Sequence, residues 1–264
     1  MNALETCLSC VDLTSLHTQD TQTIIKEFTE KVNAFHSIYP ELPLPASICV
    51  YPNFGRVVRK TLSDEAASQV HVTCVAGTFP TSQSWTDVKL LEARHAVEEG
   101  ADEIDMVLAV GEFLEGNVQK AQEEIRSMRS TIDSTSAGKK ILKVILETGA
   151  LKTRENIVAA SFLAMEAGAD YIKTSTGKME PSATPEAARI MCECIKEYYG
   201  KTGRMVGFKP AGGISTTEDA LLYYGIVESV LGSKWLNKNY FRIGASRLAN
   251  NLVSEIVGSK VSCF

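Results

Sequence analysis

Short apolar runs alternate with longer amphipathic ones along the whole chain, eight times over 264 residues. The strand-like runs are Leu8–Asp12, Ser47–Tyr51, Val70–Val75, Glu103–Val107, Ile141–Glu147, Tyr171–Ser175, Met205–Lys209 and Phe241–Gly244. Between them lie helical patterns, among them Trp85–Glu99, Val118–Ile132, Arg154–Ala167, Pro185–Tyr199 and Thr217–Leu231. Thr184 precedes Pro185 at a first-turn position, and Gly100, Gly168 and Gly200 follow helix ends. Eight strand–helix units in roughly 250 residues predict an α/β chain folded as a (β/α)8 TIM barrel. A doubly wound open sheet shares the alternation. Eight strands is many for it, however, and no Gly-x-Gly-x-x-Gly turn follows the first strand. Ser130–Lys140 reads as a polar loop, no linker breaks the chain, and one domain over residues 1–264 is expected.

Two of the strand runs end on a lysine. They read Asp170-Tyr171-Ile172-Lys173-Thr174-Ser175 and Met205-Val206-Gly207-Phe208-Lys209-Pro210. Lysine is among the residues least often buried without a partner, and barrel interiors are normally filled with branched aliphatics. Period-2 geometry sorts the neighbours. If Lys173 points into the barrel, so do Tyr171 and Ser175, while Ile172 and Thr174 face the helices. Lys209 then shares the interior with Gly207, Asp105 with Val107, and Lys143 with Ile145 and Glu147. Asp12 and Cys49 join this inner set from the first and second strands. A structural ion network is the bland alternative. The chemical reading uses every member: two cations close together make each other harder to protonate, and a neutral amine can attack a carbonyl to form a Schiff base. Asp105 and the remaining amine can then move protons, and Asp105 is expected to do so without holding the fold.

A phosphate site is the second expectation. Gly212-Gly213 follows the seventh strand and Gly244-Ala245-Ser246 the eighth, the positions where barrels commonly bind phosphate through main-chain amides. Gly177 after the sixth strand adds another amide, and Lys178 reads as a charge near the barrel mouth. The formal net charge of −5 gives no basic footprint, so neither nucleic acid nor an anionic membrane is an expected partner. No signal peptide is expected from Met1–Cys7, and no run approaches a membrane span. Seven cysteines, an odd number thinly spread, fit a reducing cytoplasm. No metal site is expected: Cys7-x-x-Cys10 lacks a second half, Cys192-x-Cys194 lies in a helical pattern, and His17, His36, His71 and His95 form no ligand cluster.

The segments Ile172–Gly177, Val206–Gly213 and Leu142–Gly149 closely resemble those of the 2-deoxyribose-5-phosphate aldolase family, as do Ala101–Asp105, Ile48–Pro52 and Gly244–Ser246. The similarity runs from Asp12 to about Leu252. It implies a class I aldolase that cleaves 2-deoxy-D-ribose 5-phosphate reversibly into acetaldehyde and D-glyceraldehyde 3-phosphate, without metal or other cofactor. By position it makes Lys173 the Schiff-base lysine, Lys209 the neighbour that lowers its pKa, and Asp105 the proton donor and acceptor. Gly177, Gly212, Gly213 and Ser246 would hold the phosphate. The expected partners are a small sugar phosphate and aldehydes, with a homodimer as the assembly. Two departures stand out: Arg247 replaces a serine that commonly follows Ser246, adding an ionic contact, and the chain ends in Phe264 where some members end in tyrosine. The Phe264 tail either closes over the site or is a frayed end. Other Schiff-base barrels, such as transaldolase-like enzymes, and a catalytically silent sugar-phosphate binder are the competing functions.

Overall fold

Parity along eight short strands decides what faces the barrel axis and what faces the helices. In the computed structural model, which describes residues 1–264 apart from the side chains of Asp64 and Ala67, the strands are β1 (Val11–Thr14), β2 (Ser47–Val50), β3 (His71–Ala76), β4 (Glu103–Val107), β5 (Ile141–Ile145), β6 (Tyr171–Lys173), β7 (Gly207–Lys209) and β8 (Ile243–Ala245). They pair in parallel in the order β7-β6-β5-β4-β3-β2-β1-β8. Parallel bridges between Phe208 and Phe241 and between Ala211 and Gly244 join β7 to β8 and close the sheet. Across this seam the Arg242 N–H donates to Phe208 O at 3.1 Å, and the Gly244 N–H to Pro210 O at 2.9 Å. The result is the expected (β/α)8 barrel. Among the described residues no helix is long and apolar enough to cross a membrane.

One parity packs against the helices. Leu13, Ile48, Val72, Ile104, Met106, Val144, Ile172 and Phe208 belong to one continuous apolar cluster with side chains of the surrounding helices. Burying each such aliphatic contributes about 1.5–3 kcal/mol, so this shell is the main source of stability. The other parity is buried yet stands outside that cluster, and much of it is charged: Asp12, Glu103, Asp105, Lys143, Lys173 and Lys209 are all buried.

Several element ends differ from the sequence reading, each for a local reason. The first strand was expected over Leu8–Asp12. An Asn2–Glu5 capping box instead starts a helix over Ala3–Ser9 that absorbs Leu8. The helix from Pro185 runs through Gly200 to Thr202 and ends on Gly203, whose φ of 70° makes the left-handed cap. Past Lys173 the period-2 alternation stops, and Thr174 does not turn to the helices. Its hydroxyl accepts from the Ala211 N–H at 3.0 Å, and Ser175 Oγ donates to Ala211 O at 2.6 Å.

The C-terminal tail does not cover the barrel mouth. Phe264 is buried against Phe35 of the helix Gln22–Ile38, with ring centroids 4.8 Å apart. Asn250, in the helix Leu248–Val257, accepts from the Cys263 and Phe264 N–H groups at 2.7 and 3.0 Å. One side-chain amide and one aromatic contact therefore dock the tail on the outer helical layer.

At the β6–β7 contact Tyr171 stands opposite Gly207 in register. A Cβ on Gly207 would meet the Tyr171 ring at 2.2 Å, so the ring occupies the space of a missing side chain. Gly207→Ala should therefore lower the unfolding free energy by about 1–3 kcal/mol through overpacking. Urea titration measures it; an unchanged midpoint would mean that the ring moves aside freely.

Candidate active site

Inside the barrel the inward side chains form one unbroken chain of ion pairs. Asp105 on β4 lies at its centre. Its Oδ1 accepts from Lys143 Nζ of β5 at 2.7 Å, and its Oδ2 from Lys173 Nζ of β6 at 2.9 Å and Lys209 Nζ of β7 at 2.7 Å. Lys209 also pairs with Asp12 at 2.5 Å, and Lys143 pairs with Glu103. Arg242 completes the circuit, reaching Asp12 at 2.6 Å and Glu103 at 2.7 Å. Ser47 and Thr73 hydroxyls also donate to Asp12 and Glu103, at 2.7 and 2.9 Å.

The protonation states follow from these contacts. Burial pushes the Asp105 carboxyl up, but Lys143, Lys173 and Lys209 outweigh it and hold it well below the usual carboxylate range. Asp12 behaves alike: Lys209, Arg242 and Lys143 overcome burial and lower it to about 2. The Lys209 ammonium is disfavoured by burial, yet Asp105 and Asp12 raise its pKa above that of an ordinary lysine. Lys143 is raised by Asp105, Glu103 and Asp12 against the same penalty. Lys173 goes the other way. Burial first, and then the Lys209 charge, outweigh Asp105 and set its pKa below the ordinary lysine value. Cys49 packs with Leu16 and Val75, and burial pushes its thiol up, so it is an uncharged neighbour.

Above the charges opens a cavity of about 240 Å³. Lys173 lines it together with Gly177, Lys178, Gly212, Gly213 and Ser246. Lys209, Lys143, Asp105 and Asp12 do not, so among the described residues Lys173 is the one interior charge that reaches this space. The N–H groups of Gly177, Gly212, Gly213 and Ser246 donate to no acceptor among the described residues. Gly212, at φ 88°, could not be another residue: a Cβ there would lie 2.6 Å from Cβ of Ser182. Lys178 reaches across the mouth to Leu16 O at 2.5 Å. Glu147, following β5, is held at the left-handed φ of 56°, and its carboxylate accepts from the Thr176 N–H at 3.3 Å and hydroxyl at 2.5 Å.

The structure thus brings Lys173, Lys209, Asp105, Lys143, Asp12 and Cys49 into one interior, and Gly177, Gly212, Gly213 and Ser246 onto one cavity. Arg247 is exposed and does not line that cavity. Glu103 and Arg242 are members the sequence reading left out. Strand parity alone points to both, since Glu103 lies two residues before Asp105 and Arg242 two before Gly244. Against the expectation that Asp105 holds no part of the fold stand its contacts, since three buried lysine side chains share it. Among the described residues no three His, Cys, Asp or Glu side chains are placed to hold a metal ion. All seven cysteines are free.

Residues 6–229 match the sequence profile of the DeoC/LacD family aldolase, and the chain belongs to that family. A candidate deoxyribose-phosphate aldolase from Coccidioides immitis is 30% identical, with 96% of this chain and 87% of that one covered and a TM-score of 0.76. Another, from Toxoplasma gondii ME49 in its apo form, is 25% identical over 96% and 95% of the two chains, with a TM-score of 0.80. The tetrameric deoxyribose phosphate aldolase of Aeropyrum pernix shares the fold, at 24% identity, coverage of 96% and 92% and a TM-score of 0.73.

Asp105→Asn leaves Lys143, Lys173 and Lys209 around a neutral amide. The unfolding free energy at neutral pH should fall by about 3–5 kcal/mol, because removing one partner leaves uncompensated buried charge. The pH dependence has a definite sign. The folded pKa of Asp105 lies below its unfolded value, so its stabilisation is present above about pH 3.9 and is lost as the pH falls. Urea titrations of parent and variant should therefore converge on acidification. A gap that stays constant from neutral to acid pH would exclude Asp105 as the source.

Proposed function

We propose that this member of the DeoC/LacD aldolase family is a class I aldolase of the reducing cytoplasm that cleaves 2-deoxy-D-ribose 5-phosphate reversibly, through a Schiff base on Lys173. One observation carries the reading: among the described residues Lys173 is the single interior amine lining a cavity whose other walls present four main-chain amides without acceptors. A phosphate suits those amides, with Lys178 as a nearby cation. A sugar held there presents its open-chain aldehyde to Lys173.

The steps follow from the contacts. Lys173 attacks the aldehyde carbon as a neutral amine, and the carbinolamine loses water to give an iminium. Removal of the proton on the C3 hydroxyl breaks the C2–C3 bond. C3 becomes the aldehyde of D-glyceraldehyde 3-phosphate, and the two remaining carbons stay on Lys173 as an enamine. Protonation of the enamine carbon and addition of water release acetaldehyde and restore the amine. Lys209 keeps its charge throughout and disfavours a second ammonium beside it. Asp105 is a weak base while three ammonium groups surround it. It becomes a better one when Lys173 is uncharged, as the free amine, the carbinolamine or the enamine, and so takes and returns protons through water. Lys143, buried below, balances its charge. The iminium is the electron sink, so no metal enters the mechanism. Self-association as a homodimer belongs to the same proposal and is read from the mass in solution.

Borohydride added with acetaldehyde should place one ethyl group on the peptide that contains Lys173. Label found chiefly on Lys209 or Lys143 reverses the assignment. Acetaldehyde should be released from 2-deoxyribose 5-phosphate and not from fructose 6-phosphate, and turnover should survive dialysis against a strong chelator. Lys209→Leu should lower turnover by at least about tenfold and move the acid limb of the pH–rate profile upward, toward the ~10.4 of a free lysine. An unmoved acid limb would show that the neighbouring charge does not tune the nucleophile.

A further inference from the structure

The interior chain of ion pairs is unbalanced. Asp12, Glu103 and Asp105 face Lys143, Lys173, Lys209 and Arg242, three carboxylates against four cations. Net charge in a closed interior is disfavoured by desolvation, and loss of one proton removes the surplus. The contacts decide which group loses it. Lys143 pairs with three carboxylates, Lys209 with two, and Arg242 with two while remaining always protonated. Lys173 has only Asp105 Oδ2, an oxygen it shares with Lys209.

We infer that Arg242, at the floor of the barrel and out of reach of the substrate, is the positioning residue that makes Lys173 a neutral amine, because it supplies the cation by which the buried positive charges outnumber the carboxylates. Its surroundings hold it to that role. It is 1% exposed, bonds Asp12 and both Glu103 oxygens, donates through Nε to Lys238 O at 2.5 Å, and lies 5.6 Å from the Tyr171 ring centroid. The other titratable groups facing it are Cys10, Lys143 and the Lys238 ammonium. His71 meets Glu103 Oε1, an oxygen that Arg242 also reaches, at 2.6 Å. Around Lys173 stand Asp105, Lys209, Cys49 and, beyond the chain, Glu147, whose partner is Thr176 rather than a cation. The inference rests on the Schiff-base reading and adds that proton parity of the whole chain, not only the adjacent Lys209, sets the state of the nucleophile.

Charge-parity variants test it. Arg242→Met leaves three carboxylates against three cations, Glu103→Gln leaves two against four, and the double variant leaves two against three, restoring a surplus of one. The readout is the pH midpoint of borohydride-dependent ethyl labelling of Lys173 by acetaldehyde, with the pH profile of kcat/KM on 2-deoxyribose 5-phosphate beside it. The midpoint should rise by on the order of one pH unit in Arg242→Met and fall in Glu103→Gln. It should return toward the parent in the double variant, and Arg242→Lys should keep it. If Arg242→Met does not fold, Glu103→Gln and the double variant still give the predicted downward shift and its reversal. Shifts of the same sign in both single variants, or no shift, overturn the inference. Absence of label on Lys173 in the parent would instead overturn the Schiff-base reading itself.

Discussion

One carboxylate shared by three lysine side chains is the constraint on which the barrel interior depends. Asp105 accepts from Lys143, Lys173 and Lys209 within 2.9 Å, with no exposure of its own. Such an arrangement exists only because each lysine has a different second environment. Lys143 is anchored on Glu103 and Lys209 on Asp12, whereas Lys173 turns toward the cavity. Remove that difference and the three amines become equivalent in their surroundings. The carboxylate that holds them together is therefore a structural partner to all three.

The barrel can carry so many charges because its stability comes from elsewhere. Residues of the opposite parity, such as Ile104 and Met106 beside Asp105, or Ile172 and Phe208 beside the two lysines, pack into the shell between sheet and helices. A single strand thus serves two purposes through the period of its side chains. Desolvation offsets much of the attraction even in a fully paired polar interior, and a missing partner leaves a buried charge uncompensated.

Parity is also why most of the interior was legible in the sequence. The lysines at two strand ends, together with Asp105, Lys143, Asp12 and Cys49, follow from alternation once one side chain is assigned inward. Glu103 and Arg242 obey the same rule. Both lie at the N-terminal ends of their strands, away from the lysines that make the interior conspicuous in the sequence. The first strand was misplaced because a capping box at Asn2 competes with the apolar run that contains Leu8. The Phe264 tail was illegible for a different reason: its position depends on Asn250 and Phe35, contacts that no local pattern encodes.

Where the strands end, sequence patterns lose their hold and backbone geometry takes over. Three residues suffice for β6 and for β7, and the chain then leaves regular structure at Thr174 and Pro210. The two departing segments are tied to each other, since the Ala211 N–H and O both meet Thr174 or Ser175. Glu147 ties the β6 segment to the end of β5 as well, from a left-handed conformation that a non-glycine residue adopts only when its surroundings impose it. Its carboxylate is pushed up by burial, more than its hydrogen bonds to Thr176 bring it down. Three strand ends are thereby locked in place before any ligand arrives. The amides of Gly177, Gly212 and Gly213, which meet no acceptor among the described residues, are consequently pre-set, and under the proposed phosphate reading that removes an ordering cost of binding.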